Sequence, residues 1–297
     1  MEKKELFKAY FALIIVCLVW GTTYLALRVG VQSYPPFLFS GIRQTLAGTI
    51  LISWIFLTTR TLPTINDIKK NIFIGFAMIT LGNGLVSWAE MFIPSGLTAL
   101  ICSLLPIWMI VINLVYRSNE KINFKILTGI LLGLVGLLII FNDNLIDFTN
   151  PNYIAGIIAI FIANFFWALG TIAIKRGNNA NPFLAAGIQV FSGGIFMLIY
   201  SLFFENFTPL HYDLNAIVSL IYLTIFGSVI TYGAFIYSLS KLPATIASLY
   251  SYINPIVAII FGWILLNEKL NWVMSAACLI IVIGVYLVND GAIKNKK

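Results

Sequence analysis

The chain has 297 residues, of which 18 are basic and 11 acidic, and 60% belong to the hydrophobic set. With its 22 glycines included, about two-thirds of the chain is apolar, against about 45–50% for an ordinary soluble domain counted in this way. The mean hydropathy is +0.96. This composition excludes a soluble enzyme, a secreted disulfide scaffold and a disordered chain, and it predicts an integral membrane protein.

Ten apolar stretches are long enough to cross the hydrocarbon core of a bilayer, which takes about 20 helical residues. In chain order they are 9–27, 37–58, 71–92, 94–116, 126–142, 153–174, 184–204, 215–239, 244–266 and 272–289. Helices satisfy their own backbone hydrogen bonds in lipid, and the sequence lacks the short alternating segments of a membrane barrel. The sequence therefore predicts an all-α integral membrane protein with ten transmembrane helices.

The basic residues predict the orientation of these helices. Fifteen of the 18 lysines and arginines fall on one side of the predicted bilayer, Arg28 and Lys269 fall on the other, and Arg43 lies inside a span. Because basic residues accumulate on the cytoplasmic side, we expect both termini in the cytoplasm. This distribution of basic residues orients the chain in the lipid bilayer and accounts for the net charge of +7, so no nucleic-acid partner is predicted.

The two halves of the chain repeat the same motifs at an offset of about 147 residues. The matched positions are Trp20 and Trp167, Arg28 and Lys175, Pro36 and Pro182, Gly41 and Gly187, Gly48 and Gly194, Pro106 and Pro255, and the Asn-Glu-Lys segments 119–124 and 267–272. Each half has five spans, an odd number, so the second half enters the membrane inverted. The sequence thus predicts two inverted five-helix repeats, 9–142 and 153–289, an arrangement typical of secondary transporters.

Several of these motifs together resemble the drug/metabolite transporter superfamily, EamA type. They are the Trp-Gly pair at Trp20, Arg43, the segment 93–100, the Leu-Pro step at Pro106 and the two Asn-Glu-Lys segments. The resemblance covers 10–289 and implies a ten-helix basket of two repeats around a central cavity. It also implies export of metabolites, often amino acids, from bacterial cells, and hence a bacterial plasma (inner) membrane location.

Polar and aromatic side chains near the middle of the spans are the candidates for contact with a solute, because uncompensated polar groups in hydrocarbon are costly. They are Trp20, Thr23, Tyr24, Arg43, Asn83, Trp88, Asn164, Trp167, Ser228, Tyr232, Tyr252 and Asn254. The alternative is that the polar members only link helices and the aromatic ones only pack or lie at the interface. Trp20 and Trp167 recur in both halves and suit stacking on an apolar or aromatic solute.

Arg43 and Glu90 are the two charged residues inside the predicted spans. Arg43 lies about 9 Å below the outer surface. It either extends to the interface or faces a cavity and binds a carboxylate or phosphate of the solute. Glu90 lies near the outer end of the third span, where it is either an interfacial residue or a group that takes up a proton or pairs with Arg43.

Prolines and glycines mark further candidate positions. Pro106 and Pro255 fall at the centres of the fourth and ninth spans, where they either permit bending or fit curved packing. Together with Glu90 they are the candidates for gating or coupling. Small residues at Gly129, Gly133 and Gly136 favour a close helix contact, either within the molecule or between two molecules of a homodimer.

Other classes of protein lack support in the sequence. The longest connection, 59–70, has twelve residues, and no phosphate-binding loop motif occurs, so an ATP-driven pump is not predicted. The single histidine, His211, lies in a connection, and no hydrolase motif occurs, so we expect neither an enzyme nor a metal or cofactor. The preferred function is a secondary transporter of small solutes that exports amino acids or related metabolites. A passive channel and an antiporter of phosphorylated metabolites are the alternatives.

Overall fold

The computed structural model describes residues 3–59, 62–115, 123–143, 149–176, 181–207, 212–242, 244–247, 250–267 and 272–294. Within these ranges the regular structure is helical throughout. Six helical segments of the described residues are long and apolar enough to cross a membrane, one of which, Ser95–Ile112, is interrupted by a turn. Three shorter apolar helices accompany them at Phe124–Gly136, Tyr250–Leu266 and Ser275–Val288. The chain is therefore an all-helical membrane protein.

The helices follow one another in the same order in the two halves of the chain. The first half contains α1 (Lys3–Ser33), α2 (Pro36–Thr59), α3 (Ile65–Ala89), α4 (Ser95–Cys102), α5 (Leu105–Val115) and α6 (Phe124–Asp143). The second half contains α7 (Pro151–Arg176), α8 (Pro182–Phe204), α9 (Leu214–Lys241), α10 (Ala244–Ala247), α11 (Tyr250–Leu266) and α12 (Trp272–Lys294). Both α3 and α9 contain a π-helical stretch of eight residues, Phe76–Asn83 and Leu223–Ile230.

The starts of α2 and α8 show why these segments become helices. Pro36 and Pro182 each occupy the first residue of a helix, where the missing N–H costs nothing. Glu205, directly after α8, accepts hydrogen bonds from the backbone amides of Phe37 and Leu38, both at 2.9 Å. The carboxylate thereby satisfies two of the free N–H groups of α2 and ties the beginning of α2 to the end of α8.

Contacts between helices cross from one half of the chain to the other. Helix α1 packs against α9 and α11, and its counterpart in the sequence repeat, α7, packs against α3, α4 and α5. In the same way α2 contacts the π-helical stretch of α9, while α8 contacts α3. The two halves therefore interlock instead of forming separate domains.

Glycines allow α2 and α8 to approach each other closely. The four close approaches are made by Gly41, Gly48, Gly187 and Gly194. A Cβ atom at Gly48 would lie 2.4 Å from the backbone nitrogen of Phe191, and one at Gly41 would lie 2.8 Å from the Cδ2 atom of Leu198. The contact partner of Gly48 therefore lies nearer the start of α8 than that of Gly41, so these two helices run antiparallel.

The small-residue face of α6 packs against α12 of the same chain. A Cβ atom at Gly129 would lie 2.3 Å from the carbonyl oxygen of Gly284, and one at Gly136 would lie 2.5 Å from the Cγ1 atom of Ile281. These helices also run antiparallel. Of the two interpretations of this face, the contact within the molecule is the one that the structure contains.

Candidate functional site

A cavity of about 90 Å³ lies among α1, α2, α3, α7, α9 and α11, with α4 and α5 contributing one residue each. Ten of the twelve predicted solute-contact residues line it: Trp20, Thr23, Tyr24, Arg43, Asn83, Asn164, Trp167, Ser228, Tyr232 and Asn254. They come from both halves of the chain. The structure thus brings together side chains that are up to 234 positions apart in the sequence (from Trp20 to Asn254).

Arg43 lies on the cavity wall and is 5% exposed. Its Nε donates a hydrogen bond to the hydroxyl of Ser228 at 2.9 Å, and that hydroxyl donates to the Oε1 atom of Gln44 at 3.1 Å. A terminal nitrogen of Arg43 lies next to Gly227, which also lines the cavity. The guanidinium therefore faces the cavity and does not extend to the membrane surface.

Aromatic rings form another part of the cavity wall. The ring of Trp20 meets Trp167 edge to face at 5.6 Å, meets Tyr250 edge to face at 5.0 Å and packs on Phe235 at 5.1 Å. The indole N–H of Trp20 donates to the carbonyl oxygen of Gly227 at 3.0 Å, and that of Trp167 donates to the hydroxyl of Tyr250 at 3.2 Å. In this conformation the rings pack on one another, and Trp20, which lines the cavity, is 9% exposed.

Some polar residues of the wall also link helices. The Nδ2 atom of Asn164 donates to the carbonyl oxygen of Ile101 at 2.8 Å, near the end of α4. In the amide orientation that satisfies its neighbours, Asn254 donates to the carbonyl oxygens of Cys17 and Tyr250 at 2.9 and 3.0 Å. These side chains therefore hold helices together and border the cavity at once, which combines the two interpretations of the sequence.

Two predicted solute-contact residues lie away from the cavity. Trp88 lines a wider recess of about 690 Å³, which is formed by residues between α1 and α2, the end of α3 and the end of α8. Tyr252 donates through its hydroxyl to the carbonyl oxygen of Val285 at 2.6 Å, which links α11 to α12. Neither residue lines this cavity, since hydropathy gives depth along a helix but not the direction of each side chain. Their contact with a solute stays a prediction.

The candidates for gating or coupling occupy different settings. Glu90 is fully buried, and Arg28 donates to its carbonyl oxygen at 3.1 Å. An exposed interfacial position for Glu90 is therefore excluded, although its side chain is not among those lining the cavity. Pro106 is the second residue of α5 and follows a turn that separates α4 from α5, so it does not lie inside a continuous helix. Pro255 does lie inside a helix, α11.

Other wall residues were not selected from the sequence. Gln44 accepts the hydrogen bond from Ser228, and its position beside Arg43 in an apolar stretch was a usable signal. The carbonyl oxygen of Gly227 carries no such signal, because a backbone acceptor is present at every residue. Glu120 and Glu268 of the predicted Asn-Glu-Lys segments lie outside the described residues.

A cavity lined by one cationic and several polar groups, enclosed by apolar helices, defines a membrane protein with an internal polar cavity. The chain matches the profile of the EamA-like transporter family twice, over residues 7–142 and 154–290. It therefore belongs to the EamA-like transporter family, as the motifs indicated, and this family consists of membrane transporters.

Relatives of known sequence and structure agree with this assignment. The chain is 29% identical to the uncharacterized inner membrane transporter YedA of Escherichia coli K12, over 98% of this chain and 94% of the relative. It is 26% identical to the uncharacterized transporter YoaV of Bacillus subtilis 168, over 94% and 96% of the two chains. A crystal structure of a protein with 18% identity has the same fold, with a TM-score of 0.71 over 97% of this chain and 99% of that one.

Proposed function

We propose that this protein is a secondary transporter of the bacterial plasma membrane that exports small metabolites, amino acids or related compounds, by alternating access. The cavity is the solute-binding site, and its lining residues contact the solute. The observation that carries this proposal is the antiparallel packing of counterpart helices, α2 on α8 and α6 on α12. Inverted repeats with a site between them are the architecture by which such carriers expose one site to each side in turn.

The proposed membrane topology has ten spans. Helices α4 and α5 together form one span, and α10 and α11 together form its counterpart, so that 9–142 and 153–289 contribute five spans each. Counterpart helices that run antiparallel support an inverted relation between these repeats. The excess of basic residues on one side supports cytoplasmic termini.

The two π-helical stretches support the proposal that the cavity wall takes part in solute binding. Phe76–Asn83 and Leu223–Ile230 occupy matching positions of the sequence repeat, at the same offset as Trp20 and Trp167. Each stretch contributes lining residues, among them Asn83 and Ser228. Segments of π-helix are rare and occur frequently at functional sites, and Gly227 in one of these stretches accepts the indole N–H of Trp20.

The alternative functions make different demands on the site. A phosphate ester carries a charge of about −1.5 to −2 at neutral pH, whereas Arg43 is the only charged side chain among the described lining residues. This disfavours an antiporter of phosphorylated metabolites. A passive channel is disfavoured by the inverted repeats, whose typical use is to expose one site to each side of the membrane in turn.

Counterflow in liposomes tests the proposal. Metabolite profiles of a deletion strain and an overexpressing strain select the candidate solutes, and the purified chain is then reconstituted with unlabelled solute inside. A carrier accumulates labelled solute transiently against its gradient and saturates with concentration. Flux without counterflow or saturation would identify a channel, and the absence of flux for every selected solute would contradict the transport proposal.

A further inference from the structure

We infer that the cavity selects a small monocarboxylate with an apolar body over a zwitterion or an organic cation of the same shape. This inference rests on the proposed function and narrows its solutes from amino acids and related compounds to the related monocarboxylates. It is argued below from the charge of the lining residues, the position of the Arg43 guanidinium and the size of the cavity.

The lining carries a single charge. Among the twenty described residues that line the cavity, Arg43 is basic and none is an aspartate, glutamate, lysine or histidine. Glu90 is the acidic residue that interacts electrostatically with Arg43, but it is fully buried in the protein and does not line the cavity. A solute inside the cavity therefore meets a cation and no anion, which favours a carboxylate and leaves an ammonium group without a charged partner.

The guanidinium of Arg43 is held in one orientation. Ser228 accepts from its Nε, and Gln44 accepts in turn from Ser228. Among the described residues Ser228 is the one hydrogen-bond acceptor of Arg43, so its two terminal nitrogens are available to a solute, and one of them lies beside Gly227. Two parallel N–H groups on a fixed plane match the two oxygens of a carboxylate, and the side chain is desolvated in advance.

The size and the remaining wall define the body of the solute. The cavity of about 90 Å³ is smaller than the roughly 150 Å³ that holds benzene in an engineered apolar site, so the solute has only a few carbon atoms. The wall also has apolar side chains, Leu27, Ile79, Val86 and Leu105 among them. A short apolar chain with one carboxylate suits both kinds of lining residue.

A set of three probes with the same two-carbon body tests the head group. The purified full-length chain in detergent is equilibrated by dialysis against labelled propionate, alanine or ethylamine, which differ only in carrying a carboxylate, both groups or an ammonium. We expect propionate to bind most tightly, and Arg43→Gln to weaken it about tenfold or more, because a charge-assisted bidentate contact is lost. Arg43→Lys should retain part of the affinity, since the charge remains while the fork is lost.

The matched control is Lys241→Gln, which removes one positive charge from an exposed side chain that pairs with Glu5 at 3.5 Å. It should leave propionate binding unchanged. Tighter binding of alanine or ethylamine, no binding of any of the three probes, or undiminished binding in a folded Arg43→Gln protein would overturn the inference. If Arg43→Gln fails to fold, the order of affinities of the three probes for the unmodified chain decides.

The two proposals fail in different ways. Counterflow of alanine without propionate binding would overturn this inference alone, whereas propionate binding without any counterflow would contradict only the transport proposal.

Discussion

Arg28 and Lys175 make the same contact in the two halves of the chain. The guanidinium of Arg28 donates to the carbonyl oxygens of Glu90 and Ile93, just beyond the end of α3. The ammonium of Lys175 does the same at the end of α9, 2.6 Å from the carbonyl oxygen of Leu239. Each cation satisfies acceptors that a helix leaves unpaired at its C-terminus. Because both contacts exist in one conformation, they stabilise both helix ends together and do not act as alternating gates.

Removing either cation should therefore destabilise the folded chain. We expect Arg28→Gln and Lys175→Gln to lower the free energy of unfolding by about 1–3 kcal/mol each, the range for hydrogen bonds of charged groups. The losses should add in the double variant, because the two contacts share no partner. Thermal unfolding in detergent measures this, with Lys241→Gln as the exposed control. A Lys175→Gln protein as stable as the unmodified chain would show that the contact contributes nothing.

Glu205 should be needed for the attachment of α2 to α8. Its two oxygens accept from the amides of Phe37 and Leu38, so Glu205→Ala leaves two helix-start donors without their acceptor. We expect a loss of about 1–3 kcal/mol of stability for this variant. Glu205→Gln, which keeps one side-chain acceptor, should lose less. Denaturation of the three proteins side by side decides, and equal stability of all three would contradict the capping role.

The helix glycines should differ sharply in their tolerance of alanine. Gly48→Ala places a Cβ atom against the backbone of α8, which cannot yield as a flexible side chain can, so we expect a loss of about 1–3 kcal/mol from overpacking. Gly233 lies in α9, where a Cβ atom would meet only the Cε1 atom of Phe183, at 3.9 Å. Gly233→Ala should raise stability by up to about 1 kcal/mol, through helix propensity. Thermal unfolding measures the stability of both variants. A Gly48→Ala protein as stable as the unmodified chain would contradict the close approach of α2 and α8.

Asp213 should make stability depend on pH. Its carboxylate accepts from Ser33 and from the first amides of α9, and these hydrogen bonds hold its pKa below the ordinary value of 3.8. A lowered folded-state pKa means that the carboxylate stabilises the fold above the ordinary value and that this contribution is lost as the pH falls through the lowered one. Asp213→Asn should thus unfold at a lower temperature than the unmodified chain at neutral pH. The difference should shrink in acid, and a difference independent of pH would show that charge plays no part.

The sequence predicted the class of fold and most of the cavity wall for identifiable reasons. Long apolar stretches mark the helices, and the recurrence of Trp20 at Trp167 marks the repeat. The predicted first span, 9–27, is shorter than α1 because hydropathy detects only the apolar part of a helix, whereas backbone hydrogen bonding continues through its polar ends to Ser33. The turn before Pro106 and the π-helical stretches were not predicted, since they are differences of backbone hydrogen bonding within uniformly apolar segments.

The directions of individual side chains could not be predicted from the sequence either. Trp88 and Tyr252 have suitable chemistry and depth, but their positions around the helix axis turn them towards a recess and towards α12. Contacts such as that between Trp20 and the carbonyl oxygen of Gly227 join residues 207 positions apart. Only the packing of α1 against α9 determines such a pair.

The inversion of the two repeats is the central claim, and labelling of the two Asn-Glu-Lys segments tests it most directly. Single cysteines are introduced as Glu120→Cys and Glu268→Cys in a full-length chain whose three native cysteines are replaced by alanine. A thiol reagent that cannot cross the membrane is then applied to whole cells. Inversion predicts labelling of position 268 in intact cells and of position 120 only after permeabilisation. Labelling of both positions from the same side would contradict it.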